Sequence, residues 1–109
     1  MDLYNAAEEG NLDRVRLLME RGADKDMSDS EGNTPLRLAS REGHLDVVQY
    51  LVEQGASLDK ADDDGWTPLA GAASEGHLEI ARYLLEQGAD RDKATNGGWT
   101  PLHWAVTVI

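Results

Sequence analysis

The chain has 109 residues, enough for one domain, and contains no cysteine, so disulfides and thiolate metal sites are excluded. Its net charge is −11, which repels phosphate backbones and argues against a nucleic-acid ligand. No apolar run approaches the length of a bilayer span and no leader-like segment stands at Met1, so a soluble intracellular protein is expected, with no membrane partner.

In chain order, the first predicted helix begins at once, with Asp2-Leu3-Tyr4-Asn5-Ala6-Ala7, and a turn follows at Gly10-Asn11-Leu12. A second helix runs from there to Gly22-Ala23-Asp24. A polar stretch then leads to Gly32-Asn33-Thr34-Pro35-Leu36, and from this point the chain repeats itself. The same phrase returns as Gly65-Trp66-Thr67-Pro68-Leu69 and as Gly98-Trp99-Thr100-Pro101-Leu102, each 33 residues after the last. Gly43-His44-Leu45 and Gly76-His77-Leu78 keep that phase with Gly10, and Gly55-Ala56 and Gly88-Ala89 keep it with Gly22. A fixed period of this size signals a stacked repeat array.

Each unit reads as helix, tight turn, helix, loop. Thr34, Thr67 and Thr100 suit an N-cap, and the proline after each suits the first helical position, where a missing N–H costs nothing. The first helix of the unit is rich in small residues, with Leu36, Leu38 and Ala39, then Leu69, Ala72 and Ala73. Gly43 and Gly76 are expected to end it in the left-handed conformation. In the second helix Leu45, Val48, Leu51 and Val52 form one stripe, repeated by Leu78, Ala81, Leu84 and Leu85. Gly55 and Gly88 stop it, and the polar stretch from Ser57 to Gly65 is expected to form a hairpin-like finger. The first unit has Arg14 where later units have Val47 and Ile80, as a capping repeat facing water requires.

The expected organisation is one domain over 1–109. It comprises a capping repeat at 1–33, repeats at 34–66 and 67–99, and a half repeat at 100–109 that leaves the array unsealed. The apolar end, with Leu102, Val106, Val108 and Ile109, is a candidate surface for a homodimer. Trp104 takes the place of Leu38 in its unit and is expected in the core.

These phrases resemble the ankyrin repeat family along the whole chain. The resemblance implies an all-α helical solenoid shaped like a cupped hand, without enzymatic activity or cofactor. Its partner would be another protein, held by finger tips and the adjoining ends of the first helices. Carried over by position, the contact set is Ser30, Glu31 and Asn33 on the first finger, Asp63, Asp64 and Trp66 on the second, and Asn96 and Trp99 on the third. Arg41, Glu42, Ser74 and Glu75 are the helix-end positions. His103 completes the family's Thr-Pro-Leu-His-x-Ala phrase. Arg37 and Ala70 replace that histidine in earlier copies, so weaker ties at the first two junctions between fingers are expected. Gly71 inside a helix is expected to cost about 1 kcal/mol against alanine. Asp26, Asp59 and Asp92 stand where the family often has asparagine.

Trp66 and Trp99 are the favoured anchors, because tryptophan is enriched among the residues that dominate binding energies. The alternative is that each ring only stiffens the array. The acidic surround suits a basic partner segment. Asp62-Asp63-Asp64-Gly65 fails as a calcium loop: with Gly65 at the sixth place, Lys60 stands at the first ligand position and Gly71 at the last. His44 and His77 are expected to hold turns by hydrogen bonds rather than bind a metal. Two other readings of function remain at this point: a consensus-like engineered scaffold without a natural partner, and a self-associating fragment.

Overall fold

In the computed structural model, residues 2–100 are described. Six helices occur among them and no strand: α1 (Leu3–Glu9), α2 (Leu12–Glu20), α3 (Pro35–Glu42), α4 (Leu45–Glu53), α5 (Pro68–Ser74) and α6 (Leu78–Glu86). Each odd-numbered helix packs against the helix that follows it. Helices α1, α3 and α5 also stand side by side in a closely packed row, with α2, α4 and α6 forming a looser second row.

Side-chain size explains the difference between the rows. Ala6, Ala7, Ala39, Ala72 and Ala73 are buried in the first row, and side chains this small let backbones approach. The stripes of the second row point inward: Val15, then Val47, Val48 and Leu51, then Ile80, Ala81 and Leu84 all join one core cluster. Burying a side chain the size of Leu51 stabilises the fold by about 1.5–3 kcal/mol. Arg14, in register with buried Val47 and Ile80, is exposed.

The helix signals act as their chemistry requires. Thr34 and Thr67 accept from the amides of Arg37 and Ala70, both at 3.1 Å, which satisfies a donor that the helix start leaves open. Gly43 caps α3 in the left-handed conformation. Helix α5 ends one residue sooner than expected, with Glu75 at its cap and Gly76 beyond it in the left-handed conformation. The rings of His44 and His77 make no capping bond to the helices they precede. Each Nε2 reaches the preceding repeat, His44 to the Glu8 carbonyl at 2.9 Å and His77 to the Arg41 carbonyl at 3.0 Å. A carbonyl can only accept, so the proton lies on Nε2 in both rings.

Fingers stack in the same manner. Their tips close by bonds from the amides of Asp29, Asp62 and Thr95 to the carbonyls of Asn33, Trp66 and Trp99. Neighbouring tips then join: the Asp63 amide donates to the Glu31 carbonyl at 2.9 Å, and the Asn96 amide to the Asp64 carbonyl at 2.8 Å. At the other side of the loops, Asp26 accepts from the Ser57 amide at 2.9 Å, and Asp59 from the Asp90 amide at 2.8 Å. Lys60 and Lys93 reach back to the carbonyls of Asp26 and Asp59. These aspartates stand at the asparagine positions of the resemblance, and their role as links between repeats was not visible in the period alone.

Candidate partner-binding surface

Three turns carry the candidate contact residues, and each is built on a side chain that accepts from its own finger. Asp29 Oδ1 accepts from the amides of Glu31 and Asn33, both at 2.9 Å. Asp62 Oδ1 accepts from the amides of Asp64 at 3.0 Å and Trp66 at 2.9 Å. In the third finger Thr95 Oγ1 accepts from the Trp99 amide at 3.3 Å. Short side-chain acceptors of this kind commonly hold turns in place of helix or sheet bonds. Asp62 therefore serves the turn, and its other oxygen lies 3.3 Å from Arg37 Nη2.

Burial works against the charge of Asp29, but the amide bonds from Asn33 and Glu31 and the Asn33 side chain outweigh it. The carboxyl ionises below its ordinary range. A lowered folded-state pKa gives stability that is present above the unfolded value of about 3.9 and lost as pH falls through the folded value. Acidification below that point is thus expected to loosen the first finger. Amide chemical shifts of Glu31 and Asn33 will titrate together below pH ~3.9 in the parent. They will lose that transition in Asp29→Asn.

The predicted contact residues divide into an outer and an inner group. Ser30, Glu31, Asp63, Asp64 and Asn96 are exposed on the fingers, and Glu42 and Glu75 are exposed at the helix ends. Trp99 is 52% exposed, and Trp66 is half-buried one repeat earlier. Ser74 is half-buried and its hydroxyl donates to the Gly71 carbonyl at 3.1 Å. Asn96 is partly committed, since Nδ2 donates to the Asp63 carbonyl at 3.0 Å. Asn33 turns inward: it is 4% exposed, and Nδ2 donates to Asp29 Oδ2 at 3.2 Å. Its amide is short enough to fold back on its own turn, so it supports the finger and offers no contact surface.

Arg41 is the cation of this surface. Its Nη2 lies 2.8 Å from Glu8 and its Nε 2.8 Å from Glu42. Burial opposes its charge, but Glu42 and Glu8 outweigh that and hold its pKa above the ordinary value. Arg41 is thus paired with two carboxylates, while Glu31, Asp63 and Asp64 stand exposed on the first two fingers.

The expected weakness at the first junction is corrected by Arg37. This side chain is 5% exposed, its Nε donates to the Trp66 carbonyl at 3.1 Å, and Nη2 meets Asp62. An arginine fork makes two directed bonds where an imidazole donor would make one. Burial lowers the guanidinium pKa, and Asp62 opposes that shift. Leu102, His103, Trp104, Val106, Val108 and Ile109 lie outside the described residues. Among the described residues, no helix is long and apolar enough to cross a membrane.

With helix pairs, stacked fingers and linking side chains in place, comparison with known families agrees. A family model described as ankyrin repeats (3 copies) matches residues 3–62 and 57–108. The chain belongs to the ankyrin repeat family. No curated protein matches it. Ankyrin repeats form all-α solenoids that act as protein–protein interaction modules and bind protein partners; the family is a non-enzymatic interaction fold.

Proposed function

We propose that this ankyrin array holds a protein segment rich in basic residues across its second and third fingers. Trp66 and Trp99 serve as apolar anchors, and Glu31, Glu42, Asp63 and Asp64 form the acidic surround. The observation that carries this reading is the exposure of Trp99, 52% of a large indole, beside a finger that bears half-buried Trp66 and two exposed aspartates. Exposed indoles with charged neighbours suit a partner that brings both stems and cations, as lysine and arginine do. The carboxylates would steer such a segment and set its register more than they would tighten it. Stacked fingers joined by backbone bonds lose little freedom on binding, which favours affinity.

Affinity capture from a cell lysate, comparing the parent with Trp66→Ala/Trp99→Ala at matched helicity, tests the reading. A protein held by the parent and released by the double variant is the expected result. It should also elute with rising salt, since exposed charges are screened. Equal retention by both chains would remove the two indoles from the binding surface.

A further inference from the structure

The three fingers solve one local problem in three ways. In the first, the turn carboxylate of Asp29 has its second oxygen met by Asn33 Nδ2 at 3.2 Å. In the second, tryptophan occupies the place of Asn33, and its one side-chain donor lies on the indole ring, away from the backbone. The donor arrives instead from α3, where Arg37 Nη2 meets Asp62 Oδ2 at 3.3 Å. The same guanidinium donates through Nε to the Trp66 carbonyl at 3.1 Å. In the third finger Thr95 replaces the aspartate and has no second side-chain oxygen to satisfy. Ala70, in register with Arg37, has no side-chain donor to offer.

The backbone of Trp66 is consequently held on both sides by residues that are themselves paired. Its amide donates to Asp62 Oδ1 at 2.9 Å, and its carbonyl accepts from the Asp62 amide at 3.0 Å as well as from Arg37. Arg37 has little freedom to leave, being 5% exposed and lying against Gly71, where a Cβ would come within 2.9 Å of Nη1.

We infer that Arg37 is a positioning residue for Trp66. It fixes the backbone from which the indole projects and supplies from a neighbouring helix the donor that Asn33 supplies in the first finger. That substitution lets an aromatic side chain occupy a position which in the first finger is turned inward. The inference rests on the proposed role of Trp66 as a contact and adds what holds that contact in place.

Amide hydrogen exchange on the isolated full chain tests it. In Arg37→Met, exchange at Trp66 and Asp64 is expected to accelerate by about tenfold or more, while Leu38 in α3 and Ala72 in α5 keep their protection. Adding Asp62→Thr, which removes the orphaned oxygen, is expected to restore much of the loss. Arg37→Lys keeps a cation on a long stem but cannot bridge two acceptors as a fork does. It should show the same localised change to a smaller extent, and it covers the case in which Arg37→Met fails to fold. Unchanged exchange at Trp66 in both variants, or an equal loss across α3, α5 and the finger in Arg37→Lys, would overturn the assignment. No partner is present in this experiment. A localised loss together with retention that ignores Trp66 and Trp99 would therefore support the positioning role and reject the contact role.

Discussion

Gly65→Ala is expected to destabilise the chain by about 3 kcal/mol, far more than a surface glycine in a turn normally would. Two effects act together. Gly65 has φ +85°, and the left-handed conformation costs a residue with a Cβ roughly 1–2 kcal/mol. The added carbon would also lie 2.8 Å from the Asn96 amide nitrogen and 3.1 Å from the Thr95 Cα. Both contacts are with the backbone of the third finger, which cannot swing aside as a side-chain tip can. Forcing it away would break the bond from Asn96 to the Asp64 carbonyl. Gly22→Ala provides the reference, because Gly22 has φ +89° and nothing within 4 Å of the added carbon. It should lose only about 1 kcal/mol, leaving a difference of about 2 kcal/mol for the close approach. Urea unfolding with an unchanged slope would measure both. Equal losses would mean that the fingers are not tightly stacked.

That comparison bears on what can be read from the chain without its structure. The glycines recur every 33 residues, and their phase is enough to place turns and to announce a solenoid. Phase alone does not separate two kinds of glycine. Gly22 and Gly88 need only the left-handed backbone, whereas Gly10 and Gly43 lie beneath the rings of His44 and His77, and Gly32 and Gly65 beneath the next finger. The distinction depends on what the following repeat brings, so it becomes visible only when repeats are stacked. Asn33 illustrates the same limit. Register makes it equivalent to Trp66 and Trp99 and so places it on the surface, but a short amide can turn onto Asp29 and an indole cannot. The exposure of Glu31, Asp63 and Asp64 was legible because charged side chains in a polar turn are rarely buried without a partner. Arg37 and Gly71 read as two separate irregularities, since they are 34 residues apart and break the period by one. In the folded chain they are one feature.

Gly71→Ala therefore has an outcome opposite to the one that helix propensity assigns. An alanine inside a helix is worth about 1 kcal/mol over glycine, so α5 taken alone should gain from the change. The new carbon would sit 2.9 Å from Arg37 Nη1 and 3.4 Å from Cζ. A long side chain could normally retreat, but this one is tied at Nε to the Trp66 carbonyl and at Nη2 to Asp62. Retreat would loosen a buried ion pair, which is costly because it leaves a charge short of its partner. The expected net effect is a loss of about 1–2 kcal/mol. The decisive measurement is the same substitution in an Arg37→Ala background. With the guanidinium gone, Gly71→Ala should recover the propensity gain and stabilise by about 1 kcal/mol, although Arg37→Ala itself costs several. The sign would reverse between the two backgrounds, a coupling of about 2–3 kcal/mol between residues on adjacent repeats. Stabilisation in both backgrounds would show that the fork yields easily, and with it the account of how the second finger is held would fail. Destabilisation in both would place the obstruction in the α3–α5 backbone packing rather than in Arg37.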